Sequence, residues 1–453
     1  MDPMMFLQII FLSAISAFIY MFVGIIPGTD ETATIAPITL ALLLMGFDPL
    51  VVLAWFMACI VAFKMADSIP VALAGIPGGV MAVPQVPDAI IAKKEGLADV
   101  VLRKGLSASV IGSIVAVIVS LTISFVMMPL GTFLGTKDVI LGTEIPRWFW
   151  ILFAGLILLA VMSKNKFVAL LSIPMFALVI QGLRAVYGKS VFISFFLGIT
   201  IGPLIYELFS MFNGEYLANK VRRGYMKVRL TKVREIKANP LVHLSALEKI
   251  HATIWAAITS ILAFVMSPVG LTILIGDTLR DTQRDRVKGA LLAYSVRDAI
   301  KNATYIGGTL IPLLVLKKAT GPMSAGPALP FFEGVKINGV NAATYIVNAY
   351  SYPLIAGVIF LAVIIGLIVS YPLLVKYSRA ITVFVFKRIP AEALYGLFIA
   401  IVLLLAYNDM GIMGIFGAII VAVLSGALWR MGVSLGVLFM TLVGAPYIVS
   451  LLF

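Results

Sequence analysis

Gly24-Ile25-Ile26-Pro27-Gly28-Thr29-Asp30-Glu31-Thr32-Ala33-Thr34 interrupts an apolar run that begins at Met5 and continues to Met45. Proline removes a ladder N–H, and glycine adopts backbone conformations that other residues avoid, so a helix entering this stretch must bend or stop. Hydrocarbon offers the freed backbone groups no partner. Such a break survives in a membrane only inside protein or beside a watery cavity. A second interruption runs from Ser68-Ile69-Pro70 through Gly75-Ile76-Pro77-Gly78-Gly79, with Pro84 and Pro87 beyond it. Two broken apolar segments so close together predict helices that dip, unwind and turn within a membrane, as one full helix plus a further segment or as a re-entrant hairpin.

The surrounding composition requires the membrane. Of 453 residues, 61% are hydrophobic and 12% are charged, with a mean hydropathy of +1.09. A soluble domain carries about 25% charged residues, so this chain lacks the polar groups to cover itself in water. Apolar runs such as 110–128 and 353–375 approach or exceed the roughly 20 residues that a helix needs to cross the hydrocarbon core. The first segment, 5–26, has no basic leader and no small-residue cleavage pattern, so it is expected to belong to the mature fold. The net charge of +13 is concentrated in residues 220–237, with eight Lys/Arg against one Glu. That segment reads as a cytoplasmic loop under the positive-inside rule, not as a nucleic-acid site. A lone Cys59 and two histidines, His243 and His251, exclude intrachain disulfides and three-His metal centres.

Shifting the chain by about 242 to 244 residues superposes its punctuation. Ile69-Pro70 falls on Ile311-Pro312, Gly28 on Gly270, Met81 on Met323, Ile145-Pro146 on Ile389-Pro390 and Pro203 on Pro446. Prolines and glycines mark bends that a duplicated backbone must repeat, which apolar identities do not. Loop charge then tests orientation. Residues 93–104 hold four basic residues against one in the matching 335–346, whereas 135–145 is near neutral against four basic residues in 376–388. Placing each basic member inside puts equivalent loops on opposite sides, with 184–189 as the one dissenting pair. The expected fold is therefore an all-α polytopic membrane protein of two inverted-topology repeats with re-entrant or broken Pro/Gly helices. Residues 1–215 form the first repeat, 216–245 a basic cytoplasmic linker and 246–453 the second repeat.

Inverted repeats with paired breaks are a common plan of secondary transporters, whose sites lie where the breaks meet. Freed carbonyls there can coordinate a cation, and freed amides can face a carboxylate. The expected site thus places Pro27, Gly28, Thr29 and Pro77, Gly78, Gly79 opposite Val269-Gly270 and Thr320, Gly321, Pro322. The hydroxyls of Thr32, Ser68 and Ser324 and the Gly307-Gly308 break join it, and a Na⁺ site is expected near Gly28, Gly78, Gly270 and Gly321. Ionisable residues inside apolar spans are functional candidates, because a charge at mid-bilayer costs about 2.5–3.5 kcal/mol. Lys64 and Asp67 are spaced to pair on one helix face; Arg297, Asp298 and Lys301 suggest a similar cluster; Asp30 and Glu31 suit a cation; Lys317 and Lys318 suit a carboxylate. For Asp30, Glu31, Lys317 and Lys318 the bland alternative is an interfacial position, where charge is cheap.

At these segments the chain resembles the large membrane subunit of tripartite tricarboxylate transporters, the TctA family. The resemblance is carried by Gly24 to Gly28 with Pro37, by Pro77-Gly78 leading to Asp88 and Gly96, and by Asn302 followed by Gly307-Gly308-Thr309-Leu310-Ile311-Pro312-Leu313-Leu314. It covers roughly 22–130 and 266–334 well. It implies a permease for a small carboxylate, with Asn302 near the substrate, partnered by a small membrane subunit and an extracellular binding protein in a prokaryotic plasma membrane. A homodimer is a further expected assembly, and no cofactor beyond a coupling ion is expected. The chain departs from the family at Lys317-Lys318-Ala319-Thr320, where a second Gly-Ile-Pro-Gly is usual, and at Ala66-Asp67, where a Gly-Gly pair is usual. Substrate and coupling ion, Na⁺ or H⁺, stay open. A channel or an intramembrane lipid-modifying enzyme is the alternative, although no His pair, Asp-rich diphosphate motif or nucleophile with a base partner is evident.

Overall fold

The computed structural model describes residues 2–27, 29–76, 78–140, 143–187, 191–210, 212–215, 218, 239–388 and 391–452. Gly28, Pro77 and the predicted basic loop at 220–237 lie outside the described residues.

The first half runs α1 (Pro3–Val23), α2 (Glu31–Leu44), α3 (Pro49–Ala66), α4 (Ile69–Ala74), a 3₁₀ turn (Val80–Gln85), α5 (Val86–Lys94) and α6 (Ala98–Gly135). A short antiparallel hairpin of β1 (Lys137–Ile140) and β2 (Thr143–Pro146) follows, and then α7 (Trp148–Val161), α8 (Lys166–Tyr187) and α9 (Phe192–Ser210). The second half runs α10 (Ala246–Leu262), α11 (Pro268–Asp281), α12 (Arg286–Ile311), a π turn (Pro312–Leu316) and α13 (Pro322–Ala325). A second π turn (Pro330–Gly334), a two-residue ladder of β3 (Lys336–Ile337) and β4 (Val340–Asn341), α14 (Ala342–Ala349), α15 (Tyr352–Arg388), α16 (Ala391–Arg430) and α17 (Leu435–Leu452) complete it. Met410 and Gly411 (φ 61°) break α16 where α7 and α8 part in the first half.

Local chemistry explains the starts. A helix leaves its first N–H groups unpaired, and lipid cannot satisfy them. Asp48 accepts from Leu50 N at 2.8 Å ahead of Pro49, and Asp30 accepts from Thr32 N and Ala33 N at 2.8 and 3.2 Å. Ser267 accepts from Gly270 N at 3.3 Å ahead of Pro268, and Ser245 with Glu248 forms a capping box. These are the favoured cap residues, with proline at the first helical position where its missing N–H costs nothing.

Among the described residues nine helices are long and apolar enough to span a membrane, with α2 and α7 as shorter apolar helices. The candidate spans built on α3 and α12 are 100% and 94% buried, whereas those of α1 and α8 are 39% and 33% buried. The centre of the molecule is therefore one helix from each half. The halves interlock around them: α6 packs along α12, and α15 along α3. A methyl group on Gly112 would lie 2.6 Å from Ala299 Cα, and one on Gly366 would lie 3.1 Å from Ala58 Cα. Such small-residue contacts are how helix backbones approach closely without help from water. The α1–α2 segment folds back as a hairpin, with Tyr20 Oη donating to Thr34 O at 2.7 Å across it.

Candidate functional site

The two interruptions of the first half adjoin. A methyl group added at Gly79 would sit 3.3 Å from the Thr29 carbonyl oxygen and 3.6 Å from Asp67 Oδ2; one at Gly78 would lie 2.9 Å from Asp67 Cα. In the second half, Gly321 abuts the backbone of Phe264, where a methyl group would lie 2.9 Å from the carbonyl carbon. Gly307 lies against Ser260 and Gly308 against Met323 and Ala263. The halves then meet: Gly326, one residue past α13, faces Thr32 at the start of α2, where a methyl group would be 3.1 Å from Thr32 Oγ1.

Side chains at the breaks divide by what they spend their hydrogen bonds on. Thr29 Oγ1 donates to Ile26 O at 2.9 Å, and Ser68 Oγ donates to Met65 O at 3.1 Å, so both satisfy their own backbone. Ser324 Oγ accepts from Thr320 N and Gly321 N at 3.1 and 3.0 Å, which holds the second-half tip closed on itself. Thr320 Oγ1, Thr309 Oγ1 and Asn302 Oδ1 are buried without a hydrogen-bond partner. Gly270 stands apart from the tips, against Met162 and Ser267.

The charges form two clusters. In the deeper one Lys64 pairs with Glu31 at 3.0 Å and Asp67 at 3.6 Å, and its ammonium lies 4.0 Å from the Tyr305 ring centroid. Lys301, from the other half, bonds Asp67 and pairs with Asp298 at 2.8 Å. Lys64, Asp67, Asp298 and Lys301 are 0% exposed and Glu31 5%. Asn302 Nδ2 donates to Asp298 O at 3.1 Å, and Tyr294 Oη donates to Ser68 O at 2.9 Å. With every group ionised, three carboxylates face two ammonium groups. Taking such charges out of water costs several kcal/mol per ion, which pairing must offset. In the second cluster Arg297 bonds Asp88, Asp277 (2.5 Å), Pro84 O (2.7 Å) and Thr272 O (3.3 Å). Arg280 reaches Asp88 at 3.4 Å and Asp277 at 2.9 Å, toward a surface where Asp277 is 44% exposed.

The predicted Lys64–Asp67 pairing is present, and Asp298 and Lys301 join it from across the molecule. Arg297 leaves that group and clamps the 3₁₀ turn and α5 of the first half onto α11. Sequence spacing missed the Glu31–Lys64 and Asp67–Lys301 bonds, although a fixed i,i+3 pair repeated at Asp298–Lys301 hinted that a second charge pair had to find company. Lys317 and Lys318 belong to neither cluster and line a separate cavity of about 740 Å³.

Nine apolar spans among the described residues, broken helices and a buried charge network at the two central helices define a multi-pass, all-α membrane protein. The Tripartite tricarboxylate transporter TctA family matches residues 10–440, nearly the whole chain. The protein belongs to the TctA family, a tricarboxylate transporter component. No curated protein and no solved structure matches the chain.

Proposed function

We propose that this protein is the permease of a tripartite system that carries a small organic anion, a di- or tricarboxylate, across a prokaryotic plasma membrane by alternating access coupled to Na⁺ or H⁺. The observation that carries the reading is the meeting of broken segments from both halves around a buried charge network with one carboxylate in excess. A resident excess charge in a low-dielectric interior calls for a cation, and a proton on one carboxylate or a Na⁺ beside Asp67 and the Thr29 carbonyl supplies it. Thr320 and Thr309 bring unpartnered hydroxyls with the donor chemistry that a carboxylate needs, and Asn302 brings an unpartnered Oδ1, an acceptor that suits a cation.

Contacts between loops support the opposed orientation of the halves. Lys104 bonds Glu248, Arg280 pairs with Asp88, and Ser434 N donates to Ser163 Oγ, so the basic loops that charge assigns to the cytoplasm gather on common contacts. Tyr350 Oη donates to Asp48 at 2.5 Å, and the 131–135 and 335–341 segments share one cavity, joining regions that charge assigns outside. A small membrane subunit and an extracellular binding protein follow from the family as working partners.

The test is uptake by proteoliposomes containing the protein with its neighbouring small subunit and binding protein. Citrate, tartrate, malate and succinate are offered under an inward Na⁺ or proton gradient. Gradient-driven uptake accelerated by unlabelled substrate inside is expected. Uptake of none of them overturns the substrate, and uptake without trans-stimulation identifies a channel.

A further inference from the structure

Lys317-Lys318-Ala319-Thr320 follows the first π turn and precedes the second-half tip. The structure puts Lys317 and Lys318 on the wall of the 740 Å³ cavity, among the end of α6, the two π turns, the β3–β4 ladder and α14. That volume lies within the roughly 300–1,000 Å³ of small-molecule sites. Lys317 and Lys318 come from one side and Lys336 from β3, with Glu333 as the one acidic lining residue. Lys318 and Lys336 lie close enough to act electrostatically on Glu333, and none of the three lysines comes within 4.0 Å of a carboxylate oxygen among the described residues. Three ammonium groups against one carboxylate leave an excess of two positive charges at a cavity that opens to the surface. Asn341, whose Nδ2 donates to Lys317 O at 3.2 Å, and the hydroxyls of Thr132 and Thr344 complete the polar lining.

Lys317 is also one of two non-glycine residues with positive φ among the described residues, at 54°. A long side chain in the left-handed region is uncommon and carries a backbone cost. The peptide is fastened there by Lys317 N donating to Pro312 O at 2.7 Å. That conformation caps the π turn and fixes the lysine beside the cavity.

We propose that this cavity is a peripheral capture site for a small polycarboxylate anion, held by Lys317, Lys318 and Lys336 ahead of the buried tips. The ligand class rests on the transport reading above, whereas the site rests on the cavity and its charge. Lysine-lined concavities concentrate anions and raise their rate of arrival, an effect that salt screens over about 8–10 Å.

The site is tested by footprinting, independently of transport. The protein in phosphatidylcholine nanodiscs is modified with an amine-reactive reagent, with and without citrate at constant ionic strength, and read by mass spectrometry. Citrate is expected to slow modification of Lys317, Lys318 and Lys336 by about ten-fold near saturation and to leave the hairpin residue Lys137 unchanged. In proteoliposomes, the K317Q/K318Q/K336Q variant is expected to raise KM about ten-fold with kcat within about two-fold, and K137Q to change neither. Unaltered thermal midpoint and elution show that the triple variant folds. Equal modification with and without citrate overturns the site. So does protection by phosphatidylglycerol in the discs without citrate, which would assign the cavity to a lipid headgroup. Protection by citrate in a protein that transports no carboxylate leaves the site standing and overturns only the transport reading.

Discussion

At Lys301 an ammonium group with no exposed surface is held by Asp67 of one half and Asp298 of its own helix. Removing it leaves two carboxylates buried and facing each other, and breaking one side of a buried pair costs about 3–5 kcal/mol. Lys301→Met is therefore expected to lower the detergent melting point sharply and abolish transport. The double substitution Asp67→Leu with Lys301→Met removes one of the two facing carboxylates and should regain part of the stability, with Asp298 still lacking its cation, but no transport. A thermal-shift comparison of the two proteins checks this, and equal destabilisation by both would show that Lys301 acts alone. Lys64 differs, because its ammonium keeps Tyr305 as a cation–π partner. Glu31→Gln leaves Lys64 paired with Asp67 and removes the surplus carboxylate of the network. Its fold should survive, and gradient-driven uptake should fall at least about ten-fold while exchange without a gradient persists.

The elements show why some of this was legible in sequence. Asp48-Pro49 and Ser267-Pro268 announce helix starts, and Pro-Gly turns announce breaks, because both act on their own backbone within a few residues. The pairing of Lys301 with Asp67 spans 234 residues, and no periodicity or spacing reaches that far. Gly270 illustrates the converse: it was expected among the tips, yet it lies in the first turn of α11 against Met162 and Ser267, while Phe264 of the preceding turn abuts the Gly321 tip. Gly321 is where element packing and site coincide. Its backbone runs against the Phe264 carbonyl, so Gly321→Val forces the tip away from the α10 turn at a cost of about 1–3 kcal/mol. Membrane insertion should be retained and uptake lost. Gly357→Val, on α15 with nothing within 4 Å of an added carbon, is the matched control and should transport normally. Ser324→Ala releases the Thr320 and Gly321 amides, and loss of such a cap costs about 1 kcal/mol. A raised KM with modest destabilisation is expected, measured by uptake and thermal shift together.

At the scale of the molecule, the central helices α3 and α12 each pack against a long helix of the opposite half. That exchange means neither half buries its own broken helix alone. On the proposed alternating-access reading, the tips would move against the shared α3–α12 centre, where the ion network joins the two halves. The proposed opposition of the halves has a direct consequence for labelling. Leu97 lies between α5 and α6, and Val340, its approximate repeat mate, begins β4. Cys59 is buried in α3 and supplies a quiet background. Leu97→Cys should react with a membrane-impermeant maleimide only in inside-out vesicles, and Val340→Cys only in right-side-out ones. Contact geometry sharpens the expectation: the Lys104–Glu248 bond ties the start of α6 to the start of α10, whereas Val340 lines the Lys317 cavity with the end of α6. A helix of 38 residues at about 1.5 Å per residue separates those two ends of α6 by more than a bilayer's hydrocarbon thickness. Labelling of both cysteines in vesicles of one orientation would leave α6 unable to cross, and the opposed-halves arrangement would fall with it.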